Sequence, residues 1–358
     1  MTSGKWTVHG LAAWHDHAAA WRDLNKAMAD TPLLDPEFIE PFFSELVDGS
    51  ARLAVCNGTD GPLAMTLLQA DGHGRVGTMS QKQGPLGFWL QRPGLSVTDL
   101  GCSLLKVLPL SSLMFSLTQQ DPDIIPRPMD AGRVTTIDYV PTARITLEGS
   151  FDEYWSARSK KLRENLRRAR NGLERNGRPP RLVELSRPED MARGVADYGE
   201  IESAGWKADI DGAIHADNAQ GRYYSEMLTR LASLGNASIF QFYYGDKLVA
   251  SDICVYRNGT IIGLKTTYDE AEKSTSPALL MRQEMMRDFL DNKRFTRYEF
   301  YGRVRDWQTK WSNDFRVMYH ANIYRWSWLR AIHQSFSKSE KAEIGGSARR
   351  DELGRNDK

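Results

Sequence analysis

Apolar side chains at Leu11, Trp14, Ala18, Trp21, Leu24 and Met28 recur every three or four residues, which predicts an opening amphipathic helix. A second helix is expected over residues 36–47, with Asp35 as its cap and Phe38, Phe42 and Leu46 on one face. The period then shortens. Residues 51–57, 63–69 and 76–79 read as strands separated by Gly- and Pro-bearing turns. A helix over 97–107, a strand over 112–117 and an extended run over 135–147 complete the half, so residues 1–145 read as one small α/β unit.

The second half starts with helices. Phe151, Trp155, Leu162, Leu166, Ala169 and Leu173 form a stripe that ends at Gly177 and the Pro179–Pro180 pair. Further helices are expected over 188–204 and 221–234. A meander follows over 237–244, 248–256 and 261–268, with the Asn258–Gly259 pair marking a hairpin. A helix over 277–290 and strands near 298–301 and 318–326 close the pattern. Both halves thus share one order: helices, an antiparallel meander, a helix and another strand. Residues 337–358 contain no aromatic side chain and balance six basic against five acidic groups, which predicts a disordered tail.

The length, 358 residues, suits two domains better than one core. With 41% hydrophobic and 26% charged residues, the chain reads as globular rather than disordered or membrane-embedded. Its 47 basic and 46 acidic side chains nearly cancel, so no global field gathers nucleic acid. Cys56, Cys102 and Cys254 are too scattered for a disulfide framework, and the dispersed histidines offer no metal site. No segment has the length of a signal peptide or a membrane span. A cytoplasmic protein is expected, with contact at the inner face of the membrane left open.

Charge arguments must therefore be local. Ten basic residues lie between Arg158 and Arg181, against Glu164 and Glu174 alone. Lys160, Arg163, Arg167 and Arg170 share one helical face, and the repulsion between Arg163 and Arg167 suggests an anionic partner, although a solvated face would look the same. Ser276 before Pro277 has the form of a helix start, and helix N-termini suit phosphates. Lys273, Ser274, Thr275 and Ser276 add a cation and three hydroxyls there. The plain alternative is an ordinary capped helix. Glu299, in an aromatic strand, and Asp252, in the middle strand, are costly to bury unless paired. Arg303, Arg305 or Lys310 could pair with Glu299; otherwise either carboxylate suits a general base. The hydroxyls of Tyr268 and Tyr301 could protonate a leaving group. Trp206 and Lys207 begin a loop after a helix end. Trp326, Trp328, Leu329 and Ile332 either cap the second half or lie on a membrane surface.

Five segments in one order carry a resemblance: F-D-E-Y-W-S-A-R-S-K-K-L-R-E-N-L-R-R-A-R-N-G-L-E-R-N-G, S-A-G-W-K, G-D-K-L-V-A-S-D-I, L-K-T-T-Y-D-E with S-P-A-L-L, and Y-E-F-Y-G ahead of T-K-W. Across residues 151–325 the chain resembles the GNAT acyltransferase superfamily, and within it the CelD/BcsL-type proteins of cellulose and other envelope polysaccharide genes. More distantly it resembles the Fem-type peptidyltransferases. The resemblance implies an α/β (α+β) fold of two GNAT-like domains, each a mixed, largely antiparallel sheet flanked by helices. They would occupy residues 1–145 and 146–336. It also implies acyl transfer from a thioester, with acetyl-CoA or a longer acyl-CoA as co-substrate and no tightly bound cofactor. Pantetheine would run along 261–268, touching Lys265, Thr266 and Thr267. Pyrophosphate would lie at Lys273, Ser274, Thr275, Ser276, Ala278 and Leu279.

Two family signatures are altered here. The usual Q/R-x-x-G-x-G/A loop is absent, and Asp-Phe-Gly becomes Glu299-Phe300-Tyr301-Gly302. Catalysis is expected from Glu299, Asp252, Tyr268 and Tyr301. Acceptor binding is expected from Trp206, Lys207, Arg163, Arg167, Arg303 and Lys310, the acceptor being a small molecule, glycan or lipid precursor with an amine or hydroxyl. Two other functions fit the same residues: a tRNA-dependent aminoacyl transferase, and a non-catalytic partner in polysaccharide synthesis.

Overall fold

The computed structural model describes residues 4–47, 49–203, 213–333 and 335. Trp206, Lys207 and the expected tail 337–358 lie outside these residues. The first half contains β1 (Lys5–Gly10), α1 (Trp14–Met28), α2 (Pro36–Glu45), β2 (Arg52–Gly58), β3 (Gly61–Ala70), β4 (Arg75–Thr78) and β5 (Trp89–Gln91). Then come α3 (Val97–Val107), β6 (Met114–Gln120) and β7 (Val134–Thr146). The second half opens with α4 (Phe151–Ser156), α5 (Lys160–Arg175), β8 (Pro180–Leu185), α6 (Pro188–Ser203) and α7 (Ala219–Ser233). It continues with β9 (Ala237–Tyr244), β10 (Lys247–Arg257), β11 (Thr260–Tyr268), α8 (Pro277–Asp291), β12 (Arg297–Glu299) and β13 (Asp314–Tyr324).

The expected mixed, largely antiparallel sheet flanked by helices is what the chain forms. Its thirteen strands run β1-β2-β3-β4-β6-β13-β7-β12-β11-β10-β9-β8, with β5 paired to β3. Among the described pairings only β4–β6 and β11–β12 are parallel. The last strand of the chain lies between β6 and β7, so hydrogen bonding continues without a break from the strands of one half to those of the other. Three strands were not anticipated: β1 and β8, the two edges of this order, and β5, a three-residue strand paired to β3. Pro180 is tolerated because it begins the edge strand β8.

Helices cover both faces of the second half, which is why β9 and β10 are buried on nearly every residue rather than alternating. On one face α4, α5 and α8 pack Phe151, Leu166 and Phe289 against Phe240, Phe242 and Tyr298. On the other, α6 and α7 share a core with α1 and α2: Trp21, Phe42, Tyr223 and Leu228 meet Ile239, Ile253 and Ile262. A third cluster packs α3 against Phe115, Leu117 and Ile323.

Candidate active site

The β10–β11 hairpin closes at Asn258–Gly259, the first pair being Arg257 with Thr260. Further along, the register slips: Ile253 pairs with Lys265 and Cys254 with Gly263, so Leu264 is an extra residue on β11. A bulge of this kind reverses the alternation of side chains beyond it. Ile262 and Leu264 therefore pack with the α6–α7 core, whereas Thr266 and Tyr268 face α8. Lys265 falls on the α6–α7 side, 3.6 Å from buried Glu202.

The other edge of β11 is also special. Its parallel pairing with β12 spans only Thr260–Ile262, opposite Arg297–Glu299. The C-terminal half of β11 thus has no β12 partner. A cavity of about 310 Å³ lies against this free half, lined by Thr266, Tyr268, Lys273, Ser276, Pro277, Ala278, Leu279, Arg282 and Trp307.

The loop into α8 is held by ion pairs. Lys247 lies 2.7 Å from Asp269 and 3.2 Å from Glu272, and Arg178 lies 2.7 Å from Glu272. These cations hold both carboxyls below their usual range: Lys247 is the largest cause at Asp269, and Arg178 at Glu272. Ser276 begins the helix without capping it by its side chain. It adopts a left-handed conformation (φ 56°, ψ 57°), and its carbonyl accepts the N–H groups of Leu279 and Leu280. The left-handed backbone, in place of the extended one of an ordinary N-cap, leaves the hydroxyl without a capping bond. The N–H of Ala278, a residue that lines the same cavity as Lys273, has no hydrogen-bond partner among the described residues. A cation and an orphan donor at a helix N-terminus favour an anion.

Beneath the cavity, Arg282 Nη1 lies 2.8 Å from Asp252, and Nη2 donates to Thr266 Oγ1 at 3.2 Å. Tyr298 hydrogen-bonds to Arg282, and its hydroxyl donates to Asp252 at 3.1 Å. Thr266 donates to the other Asp252 oxygen at 2.8 Å. The rings of Tyr298, Phe300 and Trp307 stand 4.7, 5.4 and 5.7 Å from the guanidinium carbon, a cage that stabilises a buried cation. Tyr298 reaches this point because residue 263 is glycine: its hydroxyl occupies the space a Cβ there would need.

Of the residues expected to hold the donor, Thr266, Lys273, Ser276, Ala278 and Leu279 line the cavity. Lys265 faces the opposite side of the sheet, as does Thr267, which shares its side by alternation. Thr275 hydrogen-bonds to Tyr244 behind the loop, and Ser274 is not among the lining residues. Of the expected catalytic groups, Tyr268 is at the cavity and Asp252 under it. Glu299 and Tyr301 are elsewhere. They line a second cavity, of about 280 Å³, on the face away from α8. There Glu299 pairs with Arg316 at 2.8 Å rather than with Arg303, Arg305 or Lys310, and Tyr301 donates to Asp121 at 2.8 Å. Burial raises the Glu299 carboxyl above its usual range, with Arg316 opposing, and burial raises the Tyr301 hydroxyl well above its own.

Arg163 donates to the Arg158 carbonyl at 3.2 Å; Arg167, Arg303 and Lys310 are exposed. Two residues of the site escaped sequence reasoning. Arg282 belongs to the inner stripe of α8 with Met285, Met286 and Phe289, and a charge on an apolar stripe is the signal that marks it. Trp307 comes from an irregular loop with no periodic pattern to place it.

The fold and the cavity share one feature: a meander strand freed from its neighbour, followed by a helix whose N-terminus faces the opening. Residues 160–309 match the family model described as an acetyltransferase (GNAT) domain, so the second half is GNAT-like in sequence. No curated protein matches the chain. Among solved structures, FemX is 10% identical with a TM-score of 0.54, over 88% of this chain and 97% of that one. The C-terminal domain of an Agrobacterium fabrum protein described as a lysylphosphatidylglycerol synthetase is 13% identical with a TM-score of 0.53, over 86% and 92%. A Bacteroides thetaiotaomicron protein of unknown function is 10% identical with a TM-score of 0.51, over 87% and 97%. Identities this low speak for the shared fold alone.

Proposed function

We propose that this protein transfers an acyl group from an acyl-CoA thioester to an amine or hydroxyl, on an envelope polysaccharide or lipid precursor of the CelD/BcsL kind, in the cytoplasm. The observation that carries the reading is the cavity where β11 leaves β12, closed at one end by Lys273 and the N-terminus of α8. Pyrophosphate would sit at Lys273 and the Ala278 N–H, and pantetheine along Thr266 and Tyr268. The chemistry belongs to residues 146–336, with 1–145 as a second GNAT-like unit.

In this reading the acceptor's nitrogen or oxygen attacks the thioester carbonyl, the C–S bond breaks, and Tyr268 supplies a proton to the departing thiolate. The acceptor's own proton leaves to water, because no carboxylate lines the cavity among the described residues. Holding two substrates in attack geometry then supplies most of the acceleration. Asp252 acts by fixing Arg282 and Thr266. Glu299 and Tyr301 would act, if at all, from the far side of the sheet. Arg163, Arg167, Arg303, Lys310, Trp206 and Lys207 would bind the acceptor.

A thermal-shift titration with CoA and acyl-CoAs from acetyl to palmitoyl tests the reading. A ligand bound only by the folded state raises the melting temperature, by about 2.7 kcal/mol of stabilisation at a hundredfold excess over Kd. The expected result is a shift that Lys273→Ala reduces; a flat response across the panel overturns the proposal. One observation favours a second reading, a tRNA-borne aminoacyl donor. Helix α5 is held against α8 by the Arg170–Glu284 pair, and it exposes Lys161, Arg167 and Arg168 to solvent. Steeply salt-dependent tRNA binding with no response to CoA would select it.

A further inference from the structure

We propose that one end of the sheet, where β6 and β7 begin and β13 ends, is a docking surface for an anionic lipid membrane. The topology assembles it. Because β13 is antiparallel to both neighbours, Tyr324 stands beside Met114 and Ile323 beside Val134. Three segments therefore meet there: the turn after α3, the loop before β7, and the helical turns at 327–333.

Two arginines tie them together. Arg325 donates to the carbonyls of Leu108, Pro109 and Ser112 at 3.1, 2.7 and 2.7 Å, and Arg330 pairs with Asp130 at 2.5 Å. On this tied base the protruding side chains are apolar. Leu110 is 74% exposed, Met129 83% and Trp328 56%, with Leu113, Trp326 and Ile332 also open to solvent. Trp326 and Trp328 stack at 5.8 Å and 8°. Exposed indoles that hold each other in water are the side chains best suited to a headgroup layer.

Among the described residues, the unmatched cations around the patch outnumber the unmatched carboxylate Asp99, which acts on Cys102 together with Lys106 and Arg133. Asp71 and Asp130 are matched by Arg75 and Arg330. Lys106, Arg133 and Arg325 have no carboxylate partner among the described residues, and Arg133 lies close enough to Arg325 to oppose its charge. This excess argues for an anionic lipid surface. It argues against a second copy, because a twofold contact would press the same cations together. The chain's own residues 337–358 are no better suited: their large aliphatics are Ile344 and Leu353 alone.

The test uses the full chain and no substrate, so its failure is distinct from failure of the acyl-transfer reading. The protein is sedimented with phosphatidylcholine vesicles and with vesicles that also carry phosphatidylglycerol. It should pellet with the anionic vesicles and be released by high salt. Trp326→Ser with Trp328→Ser should lower the bound fraction at least tenfold with the circular dichroism and Tm unchanged, and Lys106→Glu should lower it several-fold. No pelleting with anionic vesicles, or pelleting that the double substitution leaves intact, overturns the proposal. So does light scattering that finds a dimer which the double substitution splits, since a second copy would then occupy the surface.

Discussion

Two buried arginines stand on opposite faces of the sheet at β12, each beside a tyrosine and at least one carboxylate, and they are bonded differently. Arg316 of β13 uses its whole guanidinium: Nε and Nη2 meet Asp121 at 2.9 and 2.6 Å, and Nη1 meets Glu299 at 2.8 Å. Asp121 follows β6 and Glu299 ends β12, so this cluster joins the two halves of the chain. Arg282 of α8 has one carboxylate, Asp252, and its Nε finds no partner among the described residues. It also borders the open cavity. A saturated ion cluster fixes strands in place. An unsaturated one beside a cavity shapes a surface that a ligand can use.

Removing each arginine should separate the two roles. Arg316→Met strands Asp121 and Glu299 together, and losing one partner of a buried ion cluster costs about 3–5 kcal/mol. Urea unfolding checks this; a loss below about 1.5 kcal/mol would mean the cluster does not join the halves. Arg282→Met should cost less, about 2–3 kcal/mol, because Asp252 keeps the hydroxyls of Thr266 and Tyr298. Unlike the first variant, it should also weaken the CoA-induced thermal shift. Equal effects on that shift would erase the distinction.

Tyr268→Phe should leave stability unchanged, because the side chain is exposed at the mouth of the cavity, while lowering kcat about ten- to a hundredfold. An unaltered kcat would remove Tyr268 from the mechanism.

The saturated cluster makes a prediction in pH. Burial raises the Glu299 carboxyl in the folded state, so the fold binds that proton more tightly than the unfolded chain does. This contribution is complete below the unfolded value, near the ordinary 4.5, and is lost as pH rises through the folded one. Glu299→Gln abolishes the titration. Its stability relative to the parent should therefore climb between pH 4.5 and neutrality. A constant difference across that range would show that Glu299 does not titrate differently on folding.

The sequence made local structure plain and long-range partners obscure, for reasons visible in single residues. The stripe Leu162, Leu166 and Leu173 is the buried side of α5, and the Asn258–Gly259 pair is the hairpin turn. The periods of β13 mislead. Alternation in D-F-R-V-M would bury Phe315 and Val317, yet these are exposed and Arg316 is inside, because two carboxylates from elsewhere in the chain await it. Which of Lys265 and Thr266 faces α8 was equally hidden, since it depends on one bulge residue, Leu264, that only strand pairing creates.

The smallest predicted effect bears on the open side of the comparison, at Ser276. Read as a capping serine, it should cost about 1 kcal/mol when its hydroxyl is removed. The structure gives that hydroxyl no capping bond and places the residue at positive φ, where a non-glycine side chain costs about 1–2 kcal/mol. Glycine relieves that strain but adds about 0.5–1 kcal/mol of unfolded-chain entropy. Ser276→Gly should therefore leave stability equal or raise it by up to about 1 kcal/mol, with the CoA shift retained under the proposal that the backbone N–H at Ala278 does the binding. A clear loss of stability would restore Ser276 as a cap. A lost CoA shift with stability intact would instead mean that the hydroxyl itself holds the ligand.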